Sequence, residues 1–383
     1  MQGFAEQRLA EYDLDDWTTS GLIKPGRSVF TPSARISSRD GHPEAHMASD
    51  NIEALVSALN SRYAEVERRQ VVGARGATPR FELYHFFMSL CSYKLRTVLD
   101  EKAAAYVSHD IDIFPPDIKN YYPEYVRLRL AGGADLVHRF VQGYTGRSST
   151  ETEGFDPCVV PTLVDHEAGR VLVNSKRMCL YLDAAIDTGT KLVPPALRAA
   201  IERQLDVVDR TPHVAALYGV HPGEDRRPAF VRRDMVGVHD AKIAQLEKNR
   251  ALVPNEPLLQ AAYDHKIKKE AAAREFVRTA ADMRSALDEF RVIVANLDKD
   301  LSATGQKWLL GDDFTLADVF WAASLFRMRW LGLGYLFDGV GAGATMPRVR
   351  AYCDRLLQRP SVQRAIVRWP LHPPSEHVPE LYA

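Results

Sequence analysis

Residues 81–102, FELYHFFMSLCSYKLRTVLDEK, set a hydroxyl and a thiol two positions apart, Ser89 and Cys91, where an apolar strand hands over to a helix. The first turn of a helix exposes unpaired N–H groups and the positive end of the helix dipole. Both favour anions, thiolates included. A thiol held at such a site can have its pKa lowered from about 8.5 into a reactive range. Lys94 stands one turn on and Arg96 close by, and either adds to the effect if it faces inward. The competing reading is structural: Ser89 or Ser92 caps the helix and Cys91 is a small buried filler.

Two further stretches bear on that choice. In VVPTLV, Pro161 opens a strand, and proline in a β-run belongs at an edge, at a first residue or in a cis bond. A cis Val160–Pro161 bond turns the N–H and C=O of Val160 away from the sheet, where an extended peptide can pair with them. In VNSKRMCLYL, Asn174-Ser175 starts a helix directly after a strand, and the Ser175 hydroxyl and N–H suit a carboxylate. Taken singly, these are an edge proline and an ordinary N-cap. Together the three stretches make a cleft with a thiol activator, a peptide-pairing edge and a carboxylate pocket, the needs of a γ-glutamyl tripeptide thiol.

The elements that must position these residues follow from periodicity. FELYHF reads as a strand, 91–102 as a helix and AYVSHDIDI as a second strand. About forty loop-like residues follow, an insertion at about 115–155 rich in Pro, Gly and the polar run GRSSTETEG. CVVPTLVDHEAGRVLVNS reads as two strands joined by a turn, and SKRMCLYLDAAI as a helix. The expected organisation is an extension over 1–80 holding one amphipathic helix (Ile52, Leu55, Val56, Leu59, Tyr63), a small domain over 81–190, an all-α domain over 196–370 and a tail over 371–383. The run GVGAGAT follows no strand and lacks a Lys-Ser/Thr pair, which argues against a phosphate loop.

Composition narrows the function classes. With 49 Lys and Arg against 50 Asp and Glu, the chain has no electrostatic case for nucleic acid. The clusters DRRPAFVRRD and DHKIKKEAAAR carry their own acids and read as solvated helix faces. The four cysteines show no C-x-x-C pair or metal-finger spacing, and no His/Asp/Glu cluster has metal spacing, so no metal is expected. Scattered cysteines, a polar N-terminal stretch and the lack of an apolar run of roughly 20 residues point to a cytoplasmic protein with no membrane partner.

The β-α-β / β-β-α order, VVPTLV, the strand-to-helix NS and the all-α second half resemble the glutathione transferase superfamily over about residues 81–370. GDDFTLADVFWA adds a capping box of Thr315 and Asp318, a marker of that superfamily's core helix. SLCSYKLR is similar to the S-x-C-S helix start of zeta-class isomerases and of hydroquinone reductive dehalogenases. NYYPEYVRLRL, EGFDPCVVPTLVDHEAGRVL, TPHVAALYGVHPGEDRRP and RWPLHPPSEHV resemble the dehalogenase branch.

The resemblance implies an α+β fold: a thioredoxin-like domain with a mixed four-stranded sheet, then an all-α domain. It implies glutathione as co-substrate, two per chlorine removed, and chlorinated hydroquinones as substrates, 2,5-dichlorohydroquinone passing to chlorohydroquinone and hydroquinone. Cys91 matches the cysteine that strips glutathione from a glutathionyl-hydroquinone, leaving a mixed disulfide that a second glutathione resolves. Ser89 matches the hydroxyl that supports the substrate or thiolate. Val160, Pro161 and Ser175 match the glutathione-binding positions, and Asn174 stands where many relatives carry Glu or Gln. His213, Tyr218 and His221 form the candidate ring wall, able to bond a phenolic oxygen or move a proton; the alternative is that they are ordinary half-buried polar residues. Cys158 is read as structural, Cys179 and Cys353 as core. A zeta-like isomerase or conjugating transferase, and a non-catalytic binding protein, stand as alternatives. A homodimer is usual for the fold and is a candidate assembly here, although an extension and an insertion can obstruct the usual interface.

Overall fold

Phe81, Glu82, Leu83, Tyr84 and His85 are all buried, so this strand has no exposed face and must lie inside a sheet covered on both sides. A computed structural model describes residues 49–63, 68–74, 76–148, 150–235, 237–338 and 345–381. Most of the extension expected over 1–80, up to residue 48, therefore lies outside the described residues, as does nearly all of GVGAGAT. The first half runs α1 (Ser49–Tyr63), β1 (Arg69–Val72), β2 (Phe81–His85), α2 (Leu90–Glu101), β3 (Tyr106–Asp110), α3 (Pro123–Gly132), α4 (Thr150–Glu153), β4 (Thr162–Asp165), β5 (Arg170–Leu172) and α5 (Ser175–Ala185). The sheet order is β1-β3-β2-β4-β5. The β2–β3 pair is parallel and the other pairs are antiparallel.

Two features depart from the sequence reading. The sheet has five strands, because Arg69–Val72 adds an edge strand against β3. Its short RQVV pattern is half exposed and carries too little apolar periodicity to stand out. The insertion is also not all loop. PEYVRLRLAG forms α3 with Pro at its start, and Tyr125, Val126, Leu128 and Leu130 are buried. Burial on several sides removes the single apolar stripe that marks a surface helix.

On the far side of β2, α1 buries Ile52, Val56, Leu59 and Tyr63. Beneath it, the buried Glu82 carboxylate accepts from Asn60 Nδ2 at 2.8 Å and Tyr84 Oη at 2.9 Å. The Nε2 atoms of His109 and His166 lie 2.5 and 2.9 Å from its two oxygens.

The second half is helical: α6 (Arg198–Arg210), α7 (His213–Tyr218), α8 (Ala229–Asp234), α9 (Val238–Ala251), α10 (Pro257–Phe276), α11 (Ala280–Thr304), α12 (Leu316–Trp330), α13 (Tyr335–Asp338), α14 (Pro347–Leu357) and α15 (Pro360–Val362). Between residues 257 and 304 the chain forms two helices, α10 and α11, broken at Val277 to Thr279. Every residue of α12 is buried, so it forms the centre of this half. Among the described residues no helix is long and apolar enough to cross a membrane.

A helix sunk this deep cannot leave its first N–H groups to water. Asp318 meets the need: its carboxylate accepts from Thr315 N at 2.8 Å, Thr315 Oγ1 at 2.9 Å, Leu309 N at 3.1 Å and Tyr352 Oη at 2.6 Å. Removing the carboxylate leaves several buried donors unpaired at about 1–3 kcal/mol each. Asp318→Ala is expected to lower unfolding free energy in urea by about 3 kcal/mol or more, and Tyr352→Phe by about 1 kcal/mol. A loss below 1 kcal/mol for the first variant would contradict this role.

Candidate active site

Ser89 caps α2 from an extended conformation (φ −72°, ψ 124°), its hydroxyl accepting from Ser92 N at 3.3 Å. Cys91 follows in the first turn as a half-buried free thiol, while Cys158, Cys179 and Cys353 are fully buried. Burial, with Asp156 next to it, pushes the Cys158 thiol well up; burial does the same for Cys179 and lifts Cys353 to about 12. Cys91 is thus the thiol open to reaction.

Lys94 does turn inward, but toward Asp209 of α6, whose Oδ1 lies 2.5 Å from its ammonium. Burial works against that charge, yet Asp209 and then Cys91 hold it above its ordinary value. Arg96 serves elsewhere, bonding the carbonyls of Ala365 at 2.8 Å and Phe87 at 3.1 Å. A third cation stands at the helix start. Arg327 of α12 is buried, donates to the carbonyl of Met88, leaves its Nε without a partner and forms no ion pair among the described residues.

The Val160–Pro161 bond is cis. The β2–β4 register begins at Thr162, opposite Tyr84, so Val160 stands outside the ladder. The insertion braces this edge: Arg129 of α3 donates to the carbonyl of Pro161 and to Thr162 Oγ1 at 3.0 Å, and Tyr125 Oη donates to Val159 O at 2.9 Å. Asn174 sits at φ 69°, in the left-handed region, and its Oδ1 accepts from Lys176 N at 3.0 Å and Arg177 N at 3.3 Å. Its side chain is therefore occupied in capping α5, with Ser175 buried as the first helical residue.

One cavity of about 190 Å³ is lined by Ser89, Cys91, Val160, Pro161, Asn174 and Ser175, and by His213 and Tyr218 from α7. Burial holds the His213 imidazole well below its ordinary pKa; its Nε2 lies 2.8 Å from Ser324 Oγ and its Nδ1 has no partner. The Tyr218 oxygen accepts from Lys242 Nζ at 2.8 Å. His221 is not brought to the cavity wall: its ring turns back on the chain and Nε2 lies 2.8 Å from the carbonyl of Ala216.

The rest of the wall is a buried charge network that sequence reasoning missed. Lys266 lies 2.8 Å from Asp156 and 2.9 Å from Glu270, and Lys269 lies 2.6 Å from Glu153 and 3.3 Å from Asp156. His239 Nδ1 lies 2.7 Å from Glu270. The stretch DHKIKKEAAAR is thus not a solvated face: Lys266 and Glu270 are turned inward and buried. In DRRPAFVRRD likewise Arg227 is buried, bonded to Asp225 and to the carbonyl of Leu217. The one signal in the sequence is the spacing of Lys266 and Glu270, four apart and in step with the buried Ala262, Tyr263 and Ala273. Of ten buried polar atoms without a partner among the described residues, six belong to residues lining this cavity: Asn120, Arg129, Tyr144, His213, His239 and Arg327. Such clustering marks a wall built for a polar ligand. Among the described residues no group of three or more His, Cys, Asp or Glu could hold a metal ion.

Comparison with known proteins places this geometry in context. Residues 260–360 match the family described as glutathione S-transferase, C-terminal domain. The chain is 51% identical over 301 residues, 78% of its length and 86% of the other's, to 2,5-dichlorohydroquinone reductive dechlorinase of Sphingobium indicum. It is 24% identical over 294 residues, 76% of its length and 96% of the other's, to tetrachloro-p-hydroquinone reductive dehalogenase of Sphingobium chlorophenolicum. Among solved structures, the theta class glutathione S-transferase of Xanthomonas axonopodis pv. citri aligns with a TM-score of 0.46 at 19% identity, over 76% of this chain and 100% of that one.

The charge network has a pH signature. Burial pushes the Asp156 carboxyl up, but Lys266 and Lys269 outweigh it and hold it at about 2. A folded value below the unfolded one stabilises above the unfolded value of about 3.9 and is lost as pH falls toward the folded one. Lys266→Met leaves two buried carboxylates short of their cation, an expected loss of about 3–5 kcal/mol at pH 7. That gap should narrow below pH 4 in urea titrations; a gap independent of pH would refute the assignment.

Proposed function

The chain belongs to the glutathione transferase superfamily, in its hydroquinone reductive dehalogenase branch, and from that premise we propose that it dechlorinates chlorinated hydroquinones with glutathione, 2,5-dichlorohydroquinone among them. The observation that carries the reading is the Cys91 thiol at the start of α2, in one cavity with Val160 and Ser175. The relatives named for reductive dechlorination supply the substrate class.

Reductive removal of chlorine needs two electrons, which two thiols supply by becoming a disulfide. Val160, outside the sheet ladder, presents its backbone to the cysteinyl unit of glutathione. Ser175 at the N-terminus of α5 receives the γ-glutamyl carboxylate, and the Asn174 backbone orients that turn. Arg327, without an ion pair among the described residues, and the partnerless Nε of Arg129 fit a bound anion. Ser89 steadies the incoming thiolate, which forms a C–S bond as chloride leaves with the C–Cl electron pair. Cys91 as thiolate then attacks the sulfur of the conjugate. An S–S bond forms, the C–S bond breaks, and the ring carbon keeps the pair and takes a proton. A second glutathione thiolate attacks the mixed disulfide, releasing glutathione disulfide and restoring Cys91. A reducing cytoplasm supplies this chemistry with its thiol.

Anaerobic incubation with 2,5-dichlorohydroquinone and excess glutathione is expected to yield chloride and one glutathione disulfide per chloride. Cys91→Ser is expected to keep releasing chloride while glutathionyl-hydroquinone accumulates. A wild-type protein that makes a stable conjugate and no disulfide is a conjugating transferase, and the reading fails. Ser175→Ala is expected to weaken glutathione binding about tenfold or more, as loss of a charge-assisted hydrogen bond costs about 1.5–3 kcal/mol; calorimetric titration reads this directly.

A further inference from the structure

In the proposed reaction, the exchange of chloride for sulfur uses Ser89 and the glutathione edge and the later thiol exchange uses Cys91, which leaves one part of the cavity wall without a task. There His239 is buried with Nδ1 2.7 Å from Glu270 Oε2. Glu270 is itself buried and held ionised by Lys242 and Lys266 against the effect of burial. An ionised carboxylate only accepts, so Nδ1 carries the hydrogen and Nε2 is left as a bare acceptor. That Nε2 has no partner. Three residues on along α9, Lys242 lies 2.8 Å from the Tyr218 oxygen. An ammonium has only protons to give, so the tyrosine oxygen accepts and its own hydrogen is free for another group. The Tyr218 ring lies 5.1 Å from the His239 ring and 6.0 Å from that of Phe114. All these residues line the cavity that holds Cys91.

An aromatic face, a bare base and a hydroxyl donor backed by a cation complement a phenol. A carboxylic acid arrives already ionised and needs no base, and an aliphatic alcohol is too weak an acid to give up its proton to imidazole. We infer that His239, oriented by Glu270, is the base that takes the proton of a ring hydroxyl, and that Tyr218, backed by Lys242, donates to the oxyanion so formed. The O–H bond breaks, an Nε2–H bond forms, the electron pair stays on oxygen and Glu270 balances the imidazolium. No oxidant or reductant enters. As the oxyanion becomes a carbonyl, a ring π pair forms a C–H bond with the proton returned from Nε2, which restores the neutral imidazole, and the resulting dienone is open to a thiolate where the aromatic ring is not. Glu270 and Lys242 are positioning residues in this scheme. The charged and titratable groups around His239 are Lys242 on its own helix, Glu270 and Lys266 from α10 and Tyr218 from α7. The inference rests on the hydroquinone reading and adds its acid–base apparatus.

Two measurements test it. The probe 4-nitrophenol reports its own ionisation by absorbance. Bound to the wild-type protein at pH 6, its phenolate-to-phenol ratio is expected to rise at least tenfold over the free probe. Tyr218→Phe, which deletes one hydroxyl and spares the fold, and His239→Gln are each expected to cut that rise at least fivefold, with glutathione affinity unchanged. With 2,5-dichlorohydroquinone and glutathione, His239→Gln is expected to lower kcat for chloride release by about 10²–10³-fold with KM within threefold. A wild-type protein that leaves the probe's ionisation unshifted, or variants that shift it as the wild type does, overturn the inference even if chloride is released. A shifted probe with no chloride release from the hydroquinone overturns the dechlorination reading and leaves the phenol site standing.

Discussion

Lys94 keeps its charge inside the protein because Asp209 reaches it from the other half of the chain. Buried charges are tolerated only when paired, and breaking such a pair costs several kcal/mol. This contact holds the thiol-bearing helix to the helical half, and others run beside it. Arg96 bonds Ala365 O, Tyr93 Oη lies 2.5 Å from His372 Nε2, and Arg327 reaches the carbonyl of Met88. The start of α2 is therefore assembled from both halves at once. The lysine that looks from its spacing like an activator of Cys91 acts first as a weld.

The same rule governs the cavity. Lys266 and Lys269 are shared among Asp156, Glu153 and Glu270, so the insertion and α10 are held together by charges that neither could bury alone. The apolar anchors of this region, Tyr121, Val126, Leu130 and Tyr263, form a second core apart from the main one. The insertion is thus part of the site's wall. It braces the Pro161 edge through Arg129 and Tyr125 and supplies acids to the charged chamber.

Much of the fold was legible because it rests on local signals. The strand-to-helix turns at Ser89 and Asn174, the proline before β4 and the Thr315–Asp318 box all declare themselves within a few residues. The side of the cavity proposed for glutathione stands on the same kind of local signal. The side proposed for the ring does not. Its groups come from four distant segments, and each looks ordinary by itself: Lys266 and Glu270 resemble a solvated pair, and His239 sits in an unremarked helix. His221 stands in the same short stretch as His213 and Tyr218 and groups with them by sequence, whereas the chain turns there and its ring bonds Ala216 O. Burial of a charge is a property of the assembled surface, and beyond the four-residue step of Lys266 and Glu270 sequence spacing carries little of it.

The docking of α1 on the sheet has a consequence of a different kind. Its apolar face alone would let the helix settle at several neighbouring registers, since one leucine greases a surface much as another does. Asn60 removes that freedom. Its amide nitrogen donates to Glu82, and its Oδ1, 2.7 Å from Tyr84 Oη, shares that one hydroxyl hydrogen with the Glu82 carboxylate, which also holds two imidazoles. Slipping by a single turn would strand those groups without partners. The helix is keyed to its seat rather than merely stuck to it, so Ile52, Val56, Leu59 and Tyr63 meet the sheet in one register only.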